Sequence, residues 1–204
     1  MTHPNRVQPD GAFLATPARG TLTGNRGVLH DGQTIGPARW KHRAWVSCEL
    51  AFRGRHRAIM PPRQWTALFF LDEAVAMAAG HRPCGQCRHA DYRAFVTAWD
   101  RAFGPWPGSQ AADATIHAAR AHPGAQNLKH GTAYVGDLPD GAMFRTGSDI
   151  YLKWHGTALP YGPKGYGDPT LLPDGQITAL TNPVFRDILA AGYRPRLHSS
   201  AARP

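Results

Sequence analysis

Gly80-His81-Arg82-Pro83-Cys84-Gly85-Gln86-Cys87-Arg88 places two of only three cysteines at Cys-x-x-Cys spacing, in a tight turn between two stretches of helical character. That spacing lets two thiolates grip one ion. Zn²⁺ takes four soft or borderline ligands in a tetrahedron, with sulfur at about 2.3 Å, and a Cys-x-x-Cys knuckle supplies two of them. The remaining cysteine, Cys48, is the natural third. The fourth must be a histidine, a carboxylate or water.

A dithiol redox pair is the competing chemistry, since Cys84 and Cys87 stand just before a helix whose N-terminus lowers a thiol pKa. Order argues for metal. A thioredoxin-like pair follows a strand in a βαβ setting, whereas this one follows a helix closed by Gly80. Among histidines, His81 and His89 lie too close to the cysteines to complete a tetrahedron without straining the knuckle. His56 falls in a basic turn, which leaves His30 and His42. His30 ends an apolar piece expected to lie on the Cys48 strand, so it is the expected fourth ligand.

Outward from the knuckle, Asp72 is a good N-cap for a helix over 73–79 that Gly80 stops. Residues 89–103 repeat Tyr92, Phe95, Val96, Trp99 and Phe103 at helical spacing and stop at Gly104-Pro105. Upstream, residues 43–52 alternate around Val46, Cys48, Leu50 and Phe52, and Ala58-Ile59-Met60 is expected to return antiparallel to them. The result is a hairpin whose tip is Arg53-Gly54-Arg55-His56-Arg57. Residues 1–19, rich in Pro and Gly, read as an arm with a short strand.

Downstream, residues 111–121 are alanine-rich and helical. Short strands are expected at 142–146, 150–154, 157–161 and 176–180. Asn182, Pro183 and Gly192 frame a last helix with Val184, Phe185, Ile188 and Leu189 on one face. The fold class is therefore α+β. We expect a zinc-binding module with its arm over 1–104, a helical connector over 105–130, and a small antiparallel sheet with a C-terminal helix over 131–204.

Leu68-Phe69-Phe70-Leu71-Asp72-Glu73-Ala74-Val75-Ala76-Met77-Ala78-Ala79, continuing into Gly80-His81-Arg82-Pro83-Cys84-Gly85-Gln86-Cys87, resembles the second half of the zinc-binding module of the Ada family of DNA methylphosphotriester repair proteins. That module typically reads as a short strand, a helix rich in Glu and Ala, then Gly-Phe-Arg-Pro-Cys-x-x-Cys. The resemblance implies a four-cysteine zinc site, two thiolates coming from Cys84 and Cys87 and two from an earlier Cys-x-x-x-Cys, one of which accepts a methyl group from a DNA phosphate. This chain departs from that pattern. Only Cys48 lies upstream, with Ala44 four residues before it and Phe52 four after. The expectation is a retained zinc fold without the transfer activity; the alternatives are a reactive Cys48 thiolate, making the chain an alkyl acceptor or transferase, and a structural protein-interaction module.

The 204 residues carry 23 Lys and Arg against 14 Asp and Glu, a formal charge of +9. Such a balance attracts polyanions, although it also serves solubility in an arginine-rich proteome. Lys41, Arg43, Arg53, Arg55, Arg57, Arg82 and Arg88 gather in the metal half with Trp40 and Trp65 interleaved, a pattern suited to nucleic-acid phosphates and bases. With the Ada resemblance, DNA is favoured over RNA. Three cysteines are too few for a disulfide framework, no secretory signal is recognisable, and no apolar run reaches the roughly 20 residues of a spanning helix. A cytoplasmic protein without a membrane partner is expected. Asp113 and His117, four apart on a helix, could pair as base and orienter, but a simple surface pair is the plainer expectation.

Overall fold

The computed structural model describes residues 2–32, 34–54 and 59–202. Of the basic turn, Arg55, His56 and Arg57 lie outside the described residues, as does Ala58. The fold is α+β, with two six-stranded sheets, one two-stranded ribbon and four α-helices among the described residues.

The first sheet contains β1 (Arg6–Val7), β2 (Phe13–Leu14), β3 (Leu22–Asn25), β6 (Val46–Glu49), β7 (Leu68–Phe70) and β8 (Arg82–Pro83), in the order β2-β1-β7-β3-β6-β8. β4 (His30–Asp31) and β5 (Thr34–Ile35) form the separate ribbon. The arm thus joins the sheet, Arg6 lying beside Phe69. β6 has β3 antiparallel on one edge and β8 parallel on the other. Both edges are filled, so Ile59 and Met60 of the expected return strand form no strand beside β6; the rest of the expected hairpin, Arg55 to Ala58, lies outside the described residues. The expected alternation fails for the same reason: Ser47 and Cys48 are both buried, and Leu50 is exposed.

The second sheet is antiparallel throughout. It contains β9 (Gly131–Tyr134), β10 (Met143–Thr146), β11 (Asp149–Trp154), β12 (Thr157–Gly162), β13 (Gly165–Tyr166) and β14 (Gln176–Ala179), in the order β13-β12-β11-β10-β14-β9. Helices α2 (His89–Phe103), α3 (Ser109–Arg120) and α4 (Pro183–Ala190) share a core with Phe144, Ala158 and Ile177 of this sheet. Phe95 of α2 meets the rings of Phe185 and Tyr193 edge-on at 5.8 and 5.7 Å, a geometry that the ring quadrupole favours.

Helix α1 (Glu73–Ala78) is the hub, and every one of its residues is buried. Ala74, Val75, Ala76 and Ala78 share one core with Leu68 and Phe70 of the first sheet and Met143, Leu152 and Leu159 of the second, while Met77 belongs to the helical core. Both cores draw residues from either side of positions 104 and 130. The small alanines allow this close approach from all sides. Asp72 caps the helix by accepting from the Val75 amide at 3.0 Å. At the other end Gly80 donates to Met77 and His81 to Ala76, both at 2.8 Å, a Schellman closure that needs the left-handed φ of +92° found at Gly80. A Cβ there would lie 2.6 Å from Arg120 Cδ. That closure turns the chain directly into β8 and the knuckle.

Candidate metal centre

The β6–β8 register builds the site. Ser47 lies opposite Pro83, and the Cys84 amide donates to the Ser47 carbonyl at 3.0 Å, so the knuckle is docked where Cys48 follows on β6. The ligand atoms of Cys48, Cys84 and Cys87 all lie within 4.8 Å of one another. Sulfurs around a tetrahedral zinc at about 2.3 Å stand about 3.8 Å apart, so this cluster fits such an ion after small adjustments. Soft thiolate donors suit Zn²⁺, Cu⁺ or iron–sulfur chemistry more than Mg²⁺ or Ca²⁺. Cys48 is buried, whereas Cys84 and Cys87 are half-buried.

Local amides already neutralise sulfur charge. Gln86 N–H points to Cys84 Sγ at 3.4 Å, and the Glu49 amide serves Cys87. A hydrogen bond from Cys48, aided by the Cys87 and Gln86 amides, pulls the Cys84 thiol down to about 4 against its own desolvation. Cys48 is pushed far up, first because its S–H donates a hydrogen bond to Cys84 and then by burial. Burial also raises Cys87. One thiolate with two thiols around it is a proton-loaded pocket for a cation, and filling it releases protons.

His30 is not a member of this cluster. Its ring sits with Nδ1 2.6 Å from Thr66 Oγ1 and Nε2 3.3 Å from the Pro61 carbonyl; β4 pairs with β5, not with β6, and this takes it to a different partner set. His89 holds the Gly85 carbonyl at 3.1 Å. Among the described residues, no fourth histidine, cysteine or carboxylate joins the three sulfurs.

The arginines flanking the knuckle point inward. Arg88 is 2 % exposed; it meets Glu73 Oε2 at 2.6 Å and Asp91 Oδ2 at 2.9 Å, and donates to Ser47 Oγ at 2.7 Å. Arg82 is 6 % exposed and forks onto both oxygens of Asp113 at 2.8 and 2.7 Å. Neither presents its charge to a solvent-side phosphate, contrary to the sequence expectation, because carboxylates distant in sequence have claimed them. Asp113 therefore does not orient His117. That ring instead packs edge-on to Trp40 and Trp45, and burial followed by Arg120 holds it down to about 4. Lys41, Arg43 and Arg53 are exposed as expected.

Sequence reasoning missed Glu73. Its carboxylate also accepts from Tyr193 OH at 2.6 Å and the Arg196 amide at 2.8 Å, and its only signal was a charge inside an apolar alanine run. Arg26 and Arg120 were missed too. Their guanidiniums lie 4.3 and 3.7 Å from the Trp45 ring centroid and donate to the Ala79 and Gly80 carbonyls, where the C-terminal end of α1 attracts cations.

The chain matches no known family model, no curated protein and no solved structure.

Proposed function

We propose that this protein binds one zinc ion through Cys48, Cys84 and Cys87, with a fourth donor from outside that cluster. The convergence of the three sulfurs within 4.8 Å carries the reading, and the resemblance of residues 68–87 to the Ada zinc module supports it. Bound there, zinc would cross-link β6 to the knuckle before α2 and so contribute folding free energy directly. The burial of Cys48 favours this stabilising role over that of an alkyl acceptor, which needs an accessible thiolate. Purified protein should contain one zinc per chain, and its cobalt-substituted form should show thiolate charge-transfer absorption. Cys84→Ser should lose both; full metal retention in that variant would end the proposal.

A second reading, nucleic-acid contact, rests on one surface cavity of about 670 Å³. Lys41, Arg43 and Lys129 line it beside Trp40, His117 and His122, and no carboxylate does. Cations attract phosphates and an aromatic face stacks on an unpaired base. DNA is the preferred partner on the Ada resemblance. Lys41→Ala with Arg43→Ala leaves the backbone bonds of this segment in place. If each side chain meets one phosphate, the log–log salt slope of binding should shrink by about 1.8. An unchanged slope in the folded, metal-loaded variant would remove this surface from consideration.

A further inference from the structure

A second cavity, of about 520 Å³, lies on the other side of the 37–41 segment and is lined by Arg26, Arg39, Arg145, His130, Asp10 and Phe13, among others. Three guanidiniums face one carboxylate here. Asp10 Oδ2 stands 3.8 Å from Arg145 Nη1, and its other oxygen is engaged by the Ala12 amide at 3.0 Å. Arg39 and Arg26 lie 5.0 and 5.6 Å from the Phe13 ring centroid, so the aromatic floor shares their charge without neutralising it.

Arg26 is the group that demands a ligand. It is 0 % exposed. Its Nη2 donates to the Ala79 carbonyl at 2.8 Å and its Nε reaches His81 at 3.4 Å, but Nη1 has no partner. No carboxylate pairs with it among the described residues. Burial, then the neighbouring Arg39, lowers Arg26 only to about 9, which leaves it cationic at neutral pH. His130 contributes a second buried nitrogen without a partner, Nε2, on the same cavity. A buried, charged donor left unpaired is costly, and a cavity lined by Arg26 together with Arg39 and Arg145, against the single carboxylate of Asp10, is built for an anion.

We propose that this cavity binds a dianionic phosphate monoester, with its phosphate among Arg26, Arg39, Arg145 and His130 and the remainder of the ligand against Phe13. Guanidinium forks match phosphate oxygens, and a phosphate accepts from more directions than a carboxylate. The volume lies in the range of cavities that hold small organic ligands. The proposal is independent of the zinc reading, since none of the cavity residues is a cysteine. It is also separate from the Lys41–Arg43 surface, which lines a different cavity.

The test is calorimetric titration of the purified full-length protein, at fixed low salt, with inorganic phosphate, adenosine 5′-monophosphate, and one oligonucleotide carrying either a 5′-phosphate or a 5′-hydroxyl. Wild type should bind the monophosphate at millimolar or lower concentration, and Arg39→Ala and Arg145→Ala, both half-buried at the site, should each weaken it about tenfold or more. Asp10→Asn keeps the acceptor for the Ala12 amide but removes the opposing charge, and should tighten binding several-fold. Arg26→Leu tests the buried donor wherever it folds; the other three variants decide the matter if it does not. Preference for the 5′-phosphorylated over the 5′-hydroxyl strand would assign the monoester to a nucleic-acid end, and equal, weak binding of both strands beside tight monophosphate binding would assign it to a free small molecule. No binding of any phosphate probe by wild type, or binding indifferent to Arg39, Arg145 and Asp10, would overturn the proposal.

Discussion

Glu73→Gln should be among the most damaging isosteric changes available in this protein. The native carboxylate is fully buried; it forms an ion pair with Arg88 Nη2 at 2.6 Å and accepts from Tyr193 OH at 2.6 Å and the Arg196 amide at 2.8 Å. Glutamine preserves the shape but offers one oxygen and one NH₂: with its oxygen toward Arg88 and the Arg196 amide, its NH₂ faces Tyr193 OH, which must turn from donor to acceptor. It also removes the fully buried countercharge of Arg88, which keeps the partly exposed Asp91, the more distant Glu49 at 4.0 Å and the Ser47 hydroxyl. Losing one member of a buried pair costs about 3–5 kcal/mol, a large share of a total stability of about 5–15 kcal/mol. At about 2–4 °C per kcal/mol for a chain of this size, Tm should fall by about 6–20 °C. Urea and thermal unfolding at one fixed, saturating zinc concentration would measure it, since metal linkage otherwise enters the comparison. Glu49→Gln is the control at the edge of the same network: that carboxylate pairs with Arg196 and stands 4.0 Å from Arg88, but 30 % of its side chain is exposed, and its loss should cost within about 1 kcal/mol. If Glu73→Gln costs no more than this control, the buried network does not hold the core in the way argued.

Gly80→Ala should lose about 2–4 kcal/mol, because alanine resists the +92° φ and its Cβ would sit 2.6 Å from Arg120 Cδ; a neutral melting curve would show that the Schellman turn can move. Stability should fall as pH drops from about 6.5 toward 4, since the unfolded chain takes up a proton at His117 that the folded protein, holding that imidazole down to about 4, refuses. His117→Gln should flatten this part of the pH profile of the urea midpoint, and an unchanged slope would deny the coupling. A chelator should lower the melting temperature and added zinc restore it, by about 2.7 kcal/mol when free zinc stands a hundredfold above Kd; indifference to both would mean that the sulfurs hold no ion.

The local punctuation of the chain was legible where side chains act on their own backbone. Asp72 and Gly80 bound α1, and Asn182, Pro183 and Gly192 bound α4, because capping chemistry lies within a few residues of the groups that it satisfies. β10, β11 and β12 were likewise readable from short apolar runs between turns. β9 was not: Gly131–Tyr134 has little strand character of its own and is made a strand by β14, over forty residues later. The three sulfurs could be expected together from spacing and scarcity. The arginines could not be sorted. Arg82 and Arg88 look like surface cations until Asp113 and Glu73 are placed beside them, and Arg26 stands in a glycine-rich stretch that says nothing of its burial. His30 failed as a ligand for a similar reason, because the direction of β4 is decided by its pairing with β5 and not by its own residues.

The adjacent acids at the head of α1 impose an order on folding during synthesis. Asp72 is satisfied by Tyr166 OH and the His198 amide, and Glu73 by Tyr193 and the Arg196 amide, partners 94 to 126 residues further along the chain. At translation rates of about 5–20 residues per second, the helix waits about 5–25 s for them. Through that interval two neighbouring carboxylates have only part of their eventual partners and stay in water, so α1 cannot settle into its final, wholly buried place. The first sheet and the Cys-x-x-Cys knuckle can form early, but the hub between the two sheets closes late, when residues 193–198 return to it.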